Sequence, residues 1–201
     1  MRPVFQNFGQ CLYSDVHKKM QDFTEQRDAA VMDEVWFVEH LPVFTLGRNG
    51  NQKNILVTSD IPLVQSDRGG DITYHGPGQL IVYCLFDVKR LQLGIKSLVS
   101  GLEQVFIDYL SSLNIVGHRI QAAPGVYVDN KKIASLGLRV RKGCSFHGMA
   151  INVDMDLKPF TYINPCGLEG MKVTQLSELG IQNSCDQVAS QLSDLIIQQF
   201  Y

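Results

Sequence analysis

With 201 residues, 45% of them hydrophobic and 19% charged, the chain has the composition of an ordinary globular protein and enough length to bury a core without disulfide or metal support. A formal net charge of −2 gives no global electrostatic reason to expect nucleic acid or an anionic membrane as partner. Five scattered cysteines (Cys11, Cys84, Cys144, Cys166, Cys185) without a Cys-x-x-Cys pair argue against a disulfide framework or a zinc knuckle, and fit reduced thiols in the cytosol.

The residues up to Asn7 hold no apolar run of signal-peptide length, so a cytoplasmic protein is expected. Val16, Met20 and Phe23 recur at helical spacing and predict a half-buried helix from Tyr13 to Arg27. A strand is expected near Val35 to Val38, then a loop region from Gly47 to Asp60. The glycine-rich stretch Arg68-Gly69-Gly70-Asp71-Ile72-Thr73-Tyr74-His75-Gly76-Pro77-Gly78 reads as irregular and leads into an apolar run from Leu80 to Phe86. That run is seven residues, far short of the ~20 that cross a bilayer as a helix, and reads as a buried strand.

Leu98, Leu102, Val105, Phe106, Tyr109, Leu110 and Leu113 form a 3.6-period stripe and predict a second helix lying on a sheet. Between Gly125 and Val153, three β-type runs separated by Asp129-Asn130 and Arg141-Lys142-Gly143 predict an antiparallel meander. Ser184 and Gln187 resemble a capping box opening a last amphipathic helix through Val188, Leu192, Leu195 and Ile196. Strands and helices without regular βαβ alternation predict an α+β fold, and no linker-like stretch divides residues 1–201, so one domain is expected.

Three segments carry candidate chemistry. Glycines in the Arg68 to Gln79 stretch let backbone approach a ligand, and His75 and Tyr74 can donate to a carbonyl; a tight structural turn before a strand explains the same residues. The stretch is neither a Walker A loop nor a Rossmann fingerprint. Period-2 alternation puts Lys132 on the face of Ala134, Leu136, Leu138 and Val140, where burial disfavours the ammonium form and suits a base or a thiolate partner; a strand-end lysine snorkelling to water is the bland alternative. Cys166, between Pro165 and Gly167 in a segment without strand or helix period, is a better nucleophile candidate than Cys84 in its apolar run, although a structural cysteine also fits. His118 and His147 stand at no metal-ligand spacing, and no metal is assigned. Lys131, Lys132, Arg139, Arg141 and Lys142, with no intervening acid, make a locally basic corner.

Read in order, Arg68 to Gln79, Lys132-Ile133-Ala134-Ser135-Leu136-Gly137, Ser145-Phe146-His147-Gly148-Met149-Ala150-Ile151-Asn152 and Ile163-Asn164-Pro165-Cys166-Gly167 resemble the signature blocks of the lipoyl(octanoyl) transferase family. The resemblance runs from about Trp36 to about Gln175. It implies an α+β domain with a mixed, largely antiparallel sheet and helices packed on it, like the catalytic domain of biotin and lipoate protein ligases. It also implies transfer of an octanoyl (or lipoyl) group from acyl carrier protein to a lysine of lipoyl domains, those of 2-oxoacid dehydrogenase E2 subunits and the glycine cleavage H protein, as the first step of endogenous protein lipoylation.

On this resemblance Cys166 is the nucleophile and Lys132 its partner, with a thioester intermediate, no cofactor and a monomeric enzyme. The substrate-binding residues carried over are Arg68, Gly69, Gly70, Asp71, Ile72, Thr73, Tyr74 and His75, then Ser135, Leu136 and Gly137, then Gly148, Met149 and Ala150, with free backbone amides for the acyl carbonyl. Asp71 stands where the family usually has glutamine; its distance in sequence from Cys166 and Lys132 gives it a minor expected effect. Lys131, Arg139, Arg141 and Lys142 are expected to dock the acidic donor. An ATP-dependent lipoate ligase and a non-catalytic carrier-binding module are the competing readings, and Cys166 separates the first of them.

Overall fold

A computed structural model describes residues 2–201. Its strands are β1 (Val4–Cys11), β2 (Glu34–His40), β3 (Val43–Leu46), β4 (Leu63–Gln65), β5 (Ile72–His75), β6 (Gln79–Leu85), β7 (His118–Ile120), β8 (Ala123–Val128), β9 (Lys131–Arg141) and β10 (Cys144–Asn152). The helices are α1 (Tyr13–Gln26), α2 (Ile95–Ser112) and α3 (Cys185–Phe200). A seven-stranded sheet runs in the order β1-β2-β6-β10-β9-β8-β7, antiparallel except for β1 against β2. A small sheet, β4-β3-β5, lies apart from it.

The apolar run predicted as a buried strand is β6, and its alternating residues explain why no polar position interrupts it. Leu80, Val82 and Cys84 enter the core made with α2 and α3, while Ile81, Tyr83 and Leu85 pack against Val16 and Met20 of α1. A strand covered on both faces needs apolar side chains on both. The helices therefore sandwich the sheet. Ser184 caps α3 as read from the sequence, accepting from the Gln187 amide while the Gln187 side chain accepts from the Ser184 amide.

The meander is β8, β9 and β10. His118 falls in the strand-like run that becomes β7, and four strands went unread: β1, β3, β4 and β5. Three of these are only three or four residues long, and β5 sits inside the stretch expected to be irregular. Its four residues are all buried, because β3 pairs with it from Val43 opposite His75 to Leu46 opposite Ile72. The glycines flank β5 and obscured its alternation.

One buried carboxylate ties the segment after α1, the segment after β6 and Tyr201 together. Asp33 accepts from Arg27, Arg90, the Asp87 amide and the hydroxyl of the C-terminal Tyr201, with Arg27 and Asp33 side chains each only 2% exposed. Burial pushes its pKa up, but the hydrogen bonds from Tyr201, the Asp87 amide and Arg27, with the charge of Arg90, together hold it below the ordinary carboxylate value. Among the described residues no helix is long and apolar enough to cross a membrane.

Candidate active site

Lys132 owes its direction to an irregularity in β9. Val126 of β8 stands opposite Ala134, yet Tyr127 stands opposite Lys132, so Ile133 is an extra residue on the β9 side. Such a bulge re-aims a side chain. Ile133 and Ala134 both enter the main core, whereas Lys132 goes with Tyr127, whose ring centroid lies 5.4 Å from Nζ. Strict alternation, which put Lys132 on the face of Ala134, Leu136, Leu138 and Val140, fails for this physical reason. Lys132 is 2% exposed and does not snorkel to water.

Its ammonium donates to the Pro124 carbonyl at 3.0 Å and to Cys166 Sγ at 3.3 Å. No carboxylate among the described residues pairs with it. A buried cation without a carboxylate is compensated best by an anion at the position of the sulfur. Cys166 is half-buried at the tip of a short turn, Pro165–Gly167, with φ of +58°, a backbone conformation rare for a residue with a side chain. Gly167 follows at φ +71°, and a Cβ there would lie 2.9 Å from Asp71 Oδ2. Two of the other thiols are different: burial pushes Cys84 up and Cys185 up to about 12, so both stay protonated.

Beside Cys166 opens a narrow cavity, whose empty space counted out through its mouth into open solvent is about 490 Å³. Of the residues carried over from the resemblance, Arg68, Gly70, Asp71, Thr73, His75, Ser135, Leu136, Gly137, Gly148, Met149 and Ala150 line it together with Cys166. Gly69, Ile72 and Tyr74 do not. In β5 the period of two sends Thr73 and His75 to the cavity and Ile72 and Tyr74 into a second core against Phe44 and Phe160. Gly69 lies directly on β9 instead, its amide donating to the Leu138 carbonyl at 3.2 Å. The expected free amides of Gly148 to Ala150 are also absent, because β10 is paired there with β6 on one side and β9 on the other. A Cβ on Gly148 would fall on the Val82 carbonyl, which is why this position is glycine.

Four further lining residues were not read from the sequence: Tyr13 from α1, Ile81 and Tyr83 from β6 and His147 from β10. A signal existed for Tyr83, the one hydroxyl in the apolar β6 run. His40 donates to or accepts from Tyr83 at 2.7 Å, and His75 pairs with Gln79 at 2.7 Å. Burial pulls His40 down to about 4 and His75 down to about 3, the latter with help from the nearby charges of His40 and Arg68, so both rings are neutral at pH 7. Arg68 donates to Thr45, Gly69 and Asp71 oxygens, all neutral, and leaves its positive charge at the cavity wall.

Two expectations about charge change with the structure. Asp71 is not remote from the nucleophile: its carboxylate receives the Asn51 amide and Asn54 Nδ2 and abuts Gly167, next to Cys166. The basic corner is largely neutralised, Arg139 by Asp67 at 2.6 Å and Arg141 and Lys142 by Glu25 of α1 at 2.7 and 2.6 Å. Of the four residues expected to dock a donor, only Lys131 has no carboxylate partner among the described residues. His147, which has no metal-ligand spacing in sequence, converges in space with His17 and Asp67, their ligand atoms within 4.8 Å of one another. Asp67 is already the acceptor for His17, His147, Gln21 and Arg139, a closed network in which a cation would compete with a guanidinium.

Residues 15–197 match the family described as the lipoyl protein ligase A/B catalytic domain. The chain belongs to that family. It is 54% identical over 175 residues to an octanoyltransferase of Hahella chejuensis, covering 87% of this chain and 78% of that one. It is also 49% identical over 199 residues to an octanoyltransferase of Dechloromonas aromatica, covering 99% and 97%. The fold resembles that of a bi-partite lipoate protein ligase of Thermoplasma acidophilum (TM-score 0.78, 15% identity, 99% of this chain and 84% of that one). It also resembles the biotin protein ligase of Aquifex aeolicus (TM-score 0.62, 14% identity, 100% and 71%). The α+β expectation from sequence agrees with both. This member of the family is an acyltransferase, as its relatives at about half identity are.

Proposed function

We propose that the chain transfers an octanoyl group from acyl carrier protein to a lysine of lipoyl domains, of 2-oxoacid dehydrogenase E2 subunits or the glycine cleavage H protein, through a thioester on Cys166. The observation that carries this reading is the 3.3 Å contact between Lys132 Nζ and Cys166 Sγ at the wall of a narrow cavity. A lysine ammonium donating to sulfur favours the thiolate, the nucleophilic form.

In the first half-reaction the thiolate attacks the octanoyl carbonyl carbon. A new carbon–sulfur bond forms, the bond to the carrier's sulfur breaks, and the departing carrier thiolate takes a proton from the Lys132 ammonium. In the second, the target lysine amine attacks the Cys166 thioester. The amide forms, its surplus proton returns to the Lys132 amine, and Cys166 leaves as thiolate beside the restored ammonium. Thioester exchange is nearly balanced and amide formation runs downhill, so the two steps need no ATP. Tyr13, Tyr83 and His147, which line the same cavity, flank the acyl chain in this reading.

Mixing the protein with octanoyl carrier protein and mapping adducts by mass spectrometry tests it. One octanoyl group on Cys166, lost in Cys166→Ala, is the expected result. Modification that requires ATP would point to a ligase, and carrier binding without any adduct to a binding module.

A further inference from the structure

The mechanism makes use of Lys132 but not of the acid that stands behind it. Glu103 lies on the buried side of α2, within a stripe otherwise made of Leu98, Leu102, Val105 and Phe106, and is 6% exposed. A carboxylate is rarely buried without an assigned partner. Its two oxygens do different work: Oε2 accepts from Arg119 Nε at 3.0 Å near the surface, while Oε1 accepts from the buried Gly125 amide at 2.9 Å.

Gly125 is joined to Pro124, whose carbonyl receives Lys132 Nζ at 3.0 Å. Gly125 itself has φ +143°, and a Cβ there would lie 2.6 Å from the Ala134 carbonyl, 2.8 Å from Lys132 Cε and 3.3 Å from Nζ. The Pro124-Gly125 segment is therefore both the floor of the slot that holds the end of Lys132 and one of the two acceptors of its ammonium.

We infer that Glu103 is a positioning residue for Lys132: by holding the Gly125 amide from α2 it fixes the Pro124 carbonyl that aims the ammonium at Cys166. This rests on the reading of Cys166 and Lys132 as the reacting pair. The role belongs to the carboxylate's acceptor oxygen and not to its charge, since Arg119 already neutralises the latter. Small displacements of a catalytic group carry large rate penalties, of order 10²-fold for about 1 Å.

The experiment measures alkylation of Cys166 by iodoacetamide across pH 5–9 in the full chain, followed by peptide mass spectrometry, for wild type, Glu103→Asp, Glu103→Gln and Arg119→Ala. Glu103→Asp withdraws the acceptor by one methylene and should slow alkylation near pH 7 by about tenfold or more, with a displaced pH profile. Glu103→Gln still offers an oxygen to Gly125, and Arg119→Ala leaves that bond intact, so both should stay within about threefold of wild type. Wild-type reactivity in Glu103→Asp, or Glu103→Gln as slow as Glu103→Asp, would overturn the inference. Iodoacetamide needs no octanoyl donor, so failure of the transferase reading is seen separately, as the lack of an octanoyl adduct in wild type.

Discussion

Cys166 and Lys132 meet across two unrelated pieces of backbone: a left-handed turn presents the sulfur, and a bulge in β9 presents the ammonium 3.3 Å away. Neither direction follows from regular secondary structure. Both are set by local departures from it, the kind of feature that persists where surrounding contacts over-determine it.

Asp71 is one of those contacts. It holds the Asn51 amide and Asn54 Nδ2, and the Asn54 carbonyl in turn receives the Asn164 amide two residues before Cys166. Asp71→Ala removes both acceptor oxygens and should cost about 1–3 kcal/mol, with slower acylation of Cys166. Urea unfolding together with single-turnover acylation checks this; an unchanged acylation rate would detach Asp71 from the nucleophile turn.

The acyl cavity should be shortened by a larger side chain at Ala150, which lines it from β10. Ala150→Leu is expected to favour hexanoyl over octanoyl carrier by at least about tenfold, since each methylene excluded from an apolar pocket is worth about 1–3 kcal/mol. Competition between the two donors, read by the mass of the adduct, measures it.

Stability should fall on acidification through buried histidines. His40 and His75 are pulled down to about 4 and about 3 in the folded protein, while an unfolded imidazole titrates near 6.5. Between those values the unfolded state binds more protons, so stability is lost as pH drops from about 6.5 to about 4, and to about 3 for His75. Each ring contributes up to about 1.4 kcal/mol per pH unit inside its window. Urea midpoints at pH 7.5, 6 and 5 should decline, and His40→Gln should flatten the slope.

Asp33 should be essential to the fold and not to the chemistry. Asp33→Ala leaves Arg27 buried without its anion and frees Tyr201, for an expected loss of about 3–5 kcal/mol. The measured unfolding free energy should drop by that amount while the folded fraction still acylates at the wild-type rate.

Much of this protein was legible in its sequence where one period governed a segment: the stripe of α2, the run of β6, the capping box of α3 and the meander. Short strands such as β3 and β5 were hidden because four residues carry too few alternations and glycines border them. Cys166 and the β9 and β10 walls were recoverable as ordered blocks. Tyr13 and Tyr83 were not, because they reach the cavity from two elements whose packing no local spacing encodes, and His147, although inside the β10 block, was not read as a wall residue. The same holds for acids that act at long range. Asp71 beside Gly167, Glu25 beside Arg141 and Glu103 behind Lys132 are all distant in sequence from the groups they serve.

In the proposed reaction octanoate travels as a thioester on Cys166 while Lys132 moves the protons. The most direct test is to isolate the octanoylated protein free of donor, add an apo lipoyl domain without ATP, and follow both masses with time. Octanoate should leave Cys166 and arrive on the lipoyl-domain lysine at matching rates, and Lys132→Met should slow both arrival and initial loading by about 10²-fold or more. An isolated adduct that persists in the presence of the acceptor, or loading and transfer that proceed normally in Lys132→Met, would contradict it.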